Sequence, residues 1–206
     1  MAKRKGVPAA RRSAEVTRRT RETAIRARVA LDGTGRSRVA SGIGFFDHML
    51  EALAKHAALD LVLECRGDRH VDDHHSVEDA GIVLGQALAK ALGDKAGIRR
   101  FGFASVPLDE ALAQATVDLS GRGQLILRGR ERLGRGKVGA FDIELTEDFL
   151  AAFAGALGAT IHVEIRSGRN AHHIIEAVFK ALARALRQAV EPDARIRGVP
   201  STKGVL

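Results

Sequence analysis

With 206 residues, 45% of them apolar and 28% charged, the chain is long enough for one compact domain or two tightly joined halves and is not disordered throughout. No apolar run approaches the ~20 residues that cross a bilayer, the N-terminus lacks a secretory apolar core, and the single cysteine, Cys65, can close no disulfide within the chain, so a soluble cytoplasmic protein without a membrane partner is expected. The net charge of +8 invites a nucleic-acid partner, but Lys3, Arg4, Lys5, Arg11 and Arg12 supply five of those charges before the first acid, Glu15, and Trp and Tyr are absent.

Residues 1–14 read as a disordered basic tail, polar, interrupted by Pro8 and without a sustained apolar period. Ala24 to Ala30 alternates crudely, as a strand does, and Gly-rich turns follow it. His48 to Ala54 has the period of an amphipathic helix, with Met49, Leu50 and Leu53 on its apolar face, and Leu59 to Glu64 returns to a strand. Asp72-Asp-His-His-Ser-Val-Glu78 then opens a second helix with Asp72 as its cap and Val77, Leu84 and Leu88 on a buried stripe.

The same series starts again in the second half. Ala113 to Leu119 is strand-like, Asp148 to Ala154 matches the first helix at an offset of 100 residues, and Thr160 to Ile165 matches the strand after it. Asn170-Ala-His-His-Ile-Ile-Glu176 repeats the helix opening at an offset of 98, with Ile175, Leu182 and Leu186 on its stripe. Two pseudo-repeats, about 15–98 and 99–192, are expected, followed by a tail, 193–206. Each half reads strands, helix, strand, helix, so the fold class is α+β and internally duplicated, two mostly antiparallel sheets sharing one helical layer.

The repeated motif carries the chemistry. Successive helical residues project ~100° apart, so His74 and His75 cannot readily grip one ion, whereas His74 and Glu78, four apart, lie on one face. His172, His173 and Glu176 repeat the arrangement, which points to a two-metal site. Four imidazoles and two carboxylates without a thiolate suit a divalent ion such as Mn, Fe, Zn or Ni. Asp68, Asp72 and Asp73 could be further ligands or their outer partners, although acids just before a helix commonly cap it.

At these residues the chain resembles imidazoleglycerol-phosphate dehydratase, over nearly its whole length after the tail. The resemblance rests on Arg21-Glu-Thr23, Gly44-Phe-Phe-Asp-His-Met-Leu50, His70 to Asp79, Arg100-Phe-Gly102, Pro107-Leu-Asp-Glu-Ala111, Asp118 to Arg122, Asn170 to Lys180 and Pro200-Ser-Thr-Lys-Gly-Val-Leu206. It implies two four-stranded sheets sandwiching the helices, each half similar to domain 2 of ribosomal protein S5. It implies a di-manganese site in each subunit, one ion on His48, His75, His172 and Glu176 and the other on His74, Glu78, His173 and the residue at position 148. There the family's familiar pattern has histidine before the phenylalanine and this chain has Asp148, the repeat partner of His48. A carboxylate can bind Mn²⁺, so altered affinity rather than lost activity is expected.

The resemblance further implies dehydration of the glycerol-phosphate side chain of D-erythro-imidazoleglycerol phosphate to imidazole acetol phosphate, in histidine biosynthesis. Two ions would hold the substrate ring as imidazolate, with Glu22 as general base. Arg100, Arg122, Lys180, Ser201 and Lys203 would bind the phosphate, and the assembly would be a hollow 24-subunit particle with sites at subunit borders. Arg99 reads as a solvated charge and His162 as structural. A hydrolase using the same ions to activate water is the alternative enzyme, and a basic nucleic-acid-binding protein the alternative of another class.

Overall fold

The computed structural model describes residues 12–206, so the expected basic tail lies outside the described residues except at its end, where Ser13 and Ala14 already belong to a strand. The first half runs β1 (Ser13–Arg19), β2 (Thr23–Ala30), β3 (Ser37–Ala40), α1 (Gly44–Ala57), β4 (Asp60–Gly67) and α2 (His74–Leu92). The second runs β5 (Phe101–Leu108), β6 (Ala111–Asp118), β7 (Gln124–Arg128), a 3-10 turn (Arg130–Leu133), a small ribbon of β8 (Lys137–Val138) and β9 (Phe141–Asp142), α3 (Leu145–Leu157), β10 (Thr160–Ser167) and α4 (Ala171–Val190).

The duplication is visible in the sheets. One has the order β1-β2-β4-β3 and the other β5-β6-β10-β7, and in each the last pair alone is parallel. Strand alternation sends Ile25, Ala27 and Val29 of β2 and Ala113, Ala115 and Val117 of β6 inward, while Arg26 and Arg28 face out. The helical stripes read from the sequence are buried: Met49, Leu50, Leu53, Phe149, Leu150, Phe153, Val77, Leu84, Leu88, Ile175, Leu182 and Leu186 all lie in the core.

Strands β1 and β5 escape sequence reading for physical reasons. β1 is an edge strand whose inward residues are only partly covered, so it needs no apolar run. β5 inverts the usual pattern, burying Gly102 and exposing Phe101 and Phe103 at 56% and 52%.

The helices pack across the repeat boundary, α2 on α3 and α1 on α4. This exchange sets the His-His motif of each half beside the first helix of the other. The α2–α3 approach depends on Gly81 and Gly85: a Cβ there would stand 2.8 Å from the Phe149 carbonyl oxygen and 2.7 Å from that of Phe153. Both obstacles are backbone, which cannot swing aside. Gly85→Ala is therefore expected to destabilise by about 1–3 kcal/mol through overpacking. Gly155→Ala, on the exposed side of α3 where a Cβ meets nothing within 4 Å, is expected to stabilise by about 0.5–1 kcal/mol. Paired unfolding curves check the opposite signs, and a Gly85→Ala protein as stable as the parent would show that the helices do not need this closeness.

Candidate metal centre and substrate pocket

The site begins at two helix starts. Asn170 caps α4, its Oδ1 accepting from the His172 backbone N–H at 2.9 Å. At α2 the cap residue by backbone position is Asp73, one later than expected, and its carboxylate pairs with Arg69 instead of capping; Asp72 accepts from the His74 N–H at 2.8 Å. Either way the first helical turn presents two histidines. Their rings diverge, with centroids 6.0 Å apart and planes at 75° for His74 and His75, and 6.1 Å and 83° for His172 and His173.

On α4 and α1, His48, His172 and Glu176 offer donor atoms within 4.8 Å of one another. Glu176 is the hub: Oε2 lies 3.2 Å from His172 Nε2 and 3.6 Å from His48 Nε2, and Oε1 lies 2.7 Å from Lys180 Nζ. Burial favours the protonated carboxyl, yet Lys180, His48 and His172 together outweigh it and hold Glu176 below its ordinary pKa. Phe45 braces His172 edge-on, with ring centroids 5.0 Å apart.

The second group is looser. His74 Nδ1 is 3.3 Å from Asp148 Oδ2, while its Nε2 is 3.8 Å from Glu78 Oε2. The two carboxylates thus flank opposite nitrogens of one ring.

The remaining histidines of the two motifs stand apart from these groups. His75 Nδ1 lies 3.1 Å from Asp68 Oδ2 and its Nε2 4.0 Å from Glu22 Oε1. His173 Nδ1 lies 2.8 Å from Glu110 Oε2 and its Nε2 3.7 Å from Asp109 Oδ2. The hydrogen bonds to Asp68 and Glu110 raise the pKa of His75 and His173 above the usual histidine value, and that from His173, with backbone N–H groups, pulls Glu110 down to about 2. Sequence reading missed Asp109 and Glu110. Both sit in the Pro107 to Ala111 turn, but nothing in their spacing ties them to a histidine 63 residues away.

Glu22 occupies the β1–β2 turn, where its N–H and that of Thr23 donate to Thr20 Oγ1. The turn is fastened from below by the buried Asp79 of α2, which accepts from Thr23 Oγ1 and pairs with Arg18.

Four of the five expected phosphate ligands, Arg100, Arg122, Ser201 and Lys203, line one pocket against the C-terminal segment. Arg100 shapes that pocket: its guanidinium binds both oxygens of Asp118, at 2.7 and 3.1 Å, and donates to the Pro200 carbonyl at 2.8 Å. Lys180 is not among the pocket's lining and spends its charge on Glu176. Arg99 is exposed but paired with Glu191 at 2.9 Å, and His162 lies on the outer face of β10 beside Phe103 and Ile126. Among the described residues no helix is long and apolar enough to cross a membrane.

Comparison with known proteins agrees with this geometry. The family model for imidazoleglycerol-phosphate dehydratase matches residues 41–186. The imidazoleglycerol-phosphate dehydratase of Desulforamulus reducens is 57% identical over 95% of this chain and 98% of its own, and that of Acidiphilium cryptum is 56% identical over 95% and 99%. Among solved structures, the Staphylococcus aureus enzyme superposes with a TM-score of 0.79 at 38% identity, over 88% of this chain and 99% of that one. The Pyrococcus furiosus enzyme in complex with (S)-C348 gives 0.80 at 36% identity, over 93% and 100%. With its duplicated fold and both histidine motifs placed at helix starts, the chain belongs to the imidazoleglycerol-phosphate dehydratase family.

Proposed function

We propose that the chain is a hydro-lyase that removes water from imidazoleglycerol phosphate to give imidazole acetol phosphate, a step of histidine biosynthesis, at two-metal sites completed between copies of the chain. The observation that carries the shared-site reading is a split of three and one. Of the set His48, His75, His172 and Glu176, three converge and His75 stands instead with Asp68 and Glu22. Of the set His74, Glu78, Asp148 and His173, three are neighbours and His173 stands with Asp109 and Glu110. A second copy that supplies the absent histidine would complete each set, which makes assembly a condition of activity and fits a closed, symmetric particle such as the 24-mer.

The donor chemistry fits Mn²⁺. Imidazoles and carboxylates are present without a thiolate, and the one cysteine is buried with its thiol pKa pushed up to about 11 by burial, so it stays protonated and away from a metal. Bound ions would supply Lewis acidity that holds the substrate ring as its anion, so that the hydroxyl next to the ring can leave. Glu22 takes the proton from the neighbouring carbon; its side chain is half exposed and its turn is fixed by Thr20, Thr23 and Asp79, which aims it without burying it. Arg122, Lys203 and Ser201 take the phosphate, with Arg100 holding the C-terminal segment over it and Lys180 keeping Glu176 ionised.

Three experiments test this reading. Manganese-loaded protein given imidazoleglycerol phosphate is expected to form the dehydrated ketone, read by its absorbance, without freeing phosphate; phosphate release without ketone would favour the hydrolase. Glu22→Gln is expected to lower kcat by about 10²- to 10⁴-fold at unchanged manganese content. A variant that kept its rate would remove Glu22 from the chemistry. His75→Ala and His172→Ala proteins, each inactive alone, are expected to recover part of the activity when assembled together, because the trio of the first can meet His75 of the second. Mixed particles that stay inactive would argue against shared sites.

A further inference from the structure

Five site histidines share one orientation rule. His48 and His172 direct Nε2 at Glu176, at 3.6 and 3.2 Å; His74 directs it at Glu78, at 3.8 Å; His75 at Glu22, at 4.0 Å; and His173 at Asp109, at 3.7 Å. On the other nitrogen, three of the five carry a second carboxylate: Asp68 on His75, Glu110 on His173 and Asp148 on His74, at 3.1, 2.8 and 3.3 Å. We infer that Asp68, Glu110 and Asp148 are positioning residues that hold Nδ1 of these rings and leave Nε2 for metal. This inference rests on the two-metal reading above and assigns Asp148 a place beside the ion rather than on it.

The physical case is the single N–H of a neutral imidazole. A carboxylate at Nδ1 fixes that proton there, locks the ring plane and leaves the Nε2 lone pair free for a cation. The carboxylates are themselves anchored. Glu110 Oε1 accepts from the Arg169 and Asn170 N–H groups at 3.2 and 2.9 Å while Oε2 takes His173. Asp68 is tied through its N–H to the Glu22 carbonyl at 3.0 Å and is shielded, with 17% of its side chain exposed. For Asp148 the argument is reach: an aspartate oxygen stops a bond short of where a histidine in its place would present Nε2, and it ends at the Nδ1 side of His74, opposite Glu78.

Inheritance explains the pairing of His75 with Glu22 and of His173 with Glu110, but not which nitrogen each carboxylate meets, Nε2 in the first and Nδ1 in the second. Ile25 pairs with Cys65 and Ala113 with Ile165, and Cys65 and Ile165 are repeat partners, so Glu110 occupies the place of Glu22 in the other half. By the same offset Asp68 corresponds to Gly168, and Asp148 to His48. The halves therefore place a carboxylate at Nδ1 from non-equivalent positions, Asp68 in one and Glu110 in the other, as a common need would produce and a duplication alone would not. His75 and His173 are also the two rings that stand away from the groups in their own chain. A ring offered to a neighbouring copy has no adjacent ligand to align it, so its orientation must be set by its own subunit.

The test is a manganese titration of the metal-free assembled protein, with free Mn²⁺ followed by electron paramagnetic resonance and the fold by circular dichroism. Asp68→Ala and Glu110→Ala are each expected to weaken one of the two ions by about 10- to 100-fold, while Asp68→Asn and Glu110→Gln, whose amide oxygens still accept from Nδ1–H, recover most of the loss. Should an alanine variant fail to fold, Asp68→Glu and Glu110→Asp keep the charge, displace it by a methylene and are expected to weaken the same ion. Asp148→Asn is expected to hold its ion better than Asp148→Ala; equal loss in the two would make Asp148 a direct ligand and overturn its assignment. Alanine variants of Asp68 and Glu110 that bind both ions as the parent does would overturn the rest. A parent protein that binds no pair of Mn²⁺ would instead sink the two-metal reading and this inference with it.

Discussion

Two histidines side by side on a helix cannot serve one ion, and most of this molecule follows from that constraint. The turn of the helix puts the paired rings at 75° and 83° to each other, so each motif must feed two destinations. One destination is inside the chain, because α2 lies against α3 and α1 against α4, so that His74 meets Asp148 and His172 meets His48. The other faces away from these neighbours, toward Asp68 or Glu110. A fold that packed each half on itself would have placed the motifs beside their own first helices and separated these groups.

Close helix contact is what makes the inward destination work. Gly81 and Gly85 let α2 settle on the backbone of α3, and at the repeat-equivalent positions α4 carries Phe179 and Ala183. The halves are therefore alike in topology and unlike in the residues that line their helix contacts. The short Asp148 stands on α3 against α2 and the longer His48 on α1 against α4, while Phe179 itself stacks on Phe149 of α3 with ring centroids 5.3 Å apart.

Much of this was legible in the sequence, and the part that was not has a common cause. The repeat gave up the four helices and the central strands because those elements bury regular apolar stripes, such as Val77, Leu84 and Leu88 on α2. Of the trio His48, His172 and Glu176, the repeated motif exposed His172 and Glu176, and only the family resemblance joined His48 to them. Edge strand β1 and the inverted β5 carry little apolar signal on the inward face, so pattern reading passes over them. Asp109 and Glu110 were invisible for a different reason: they reach His173 only through the pairing of β6 with β10, and a contact made by sheet register leaves no local trace. The double use of Arg100 is hidden likewise, since Asp118 is brought to it by the pairing of β5 with β6 and the Pro200 carbonyl by the return of the C-terminal segment.

The electrostatics of the site follow from this economy. Burial favours the neutral form of Glu176, and Lys180, one turn further along α4, together with His48 and His172 tips the balance toward the carboxylate. Arg122 and Lys203 line a different pocket, against the C-terminal segment that Arg100 ties down through the Pro200 carbonyl. The positive charges thus divide into those that tune protein groups and those left for the ligand.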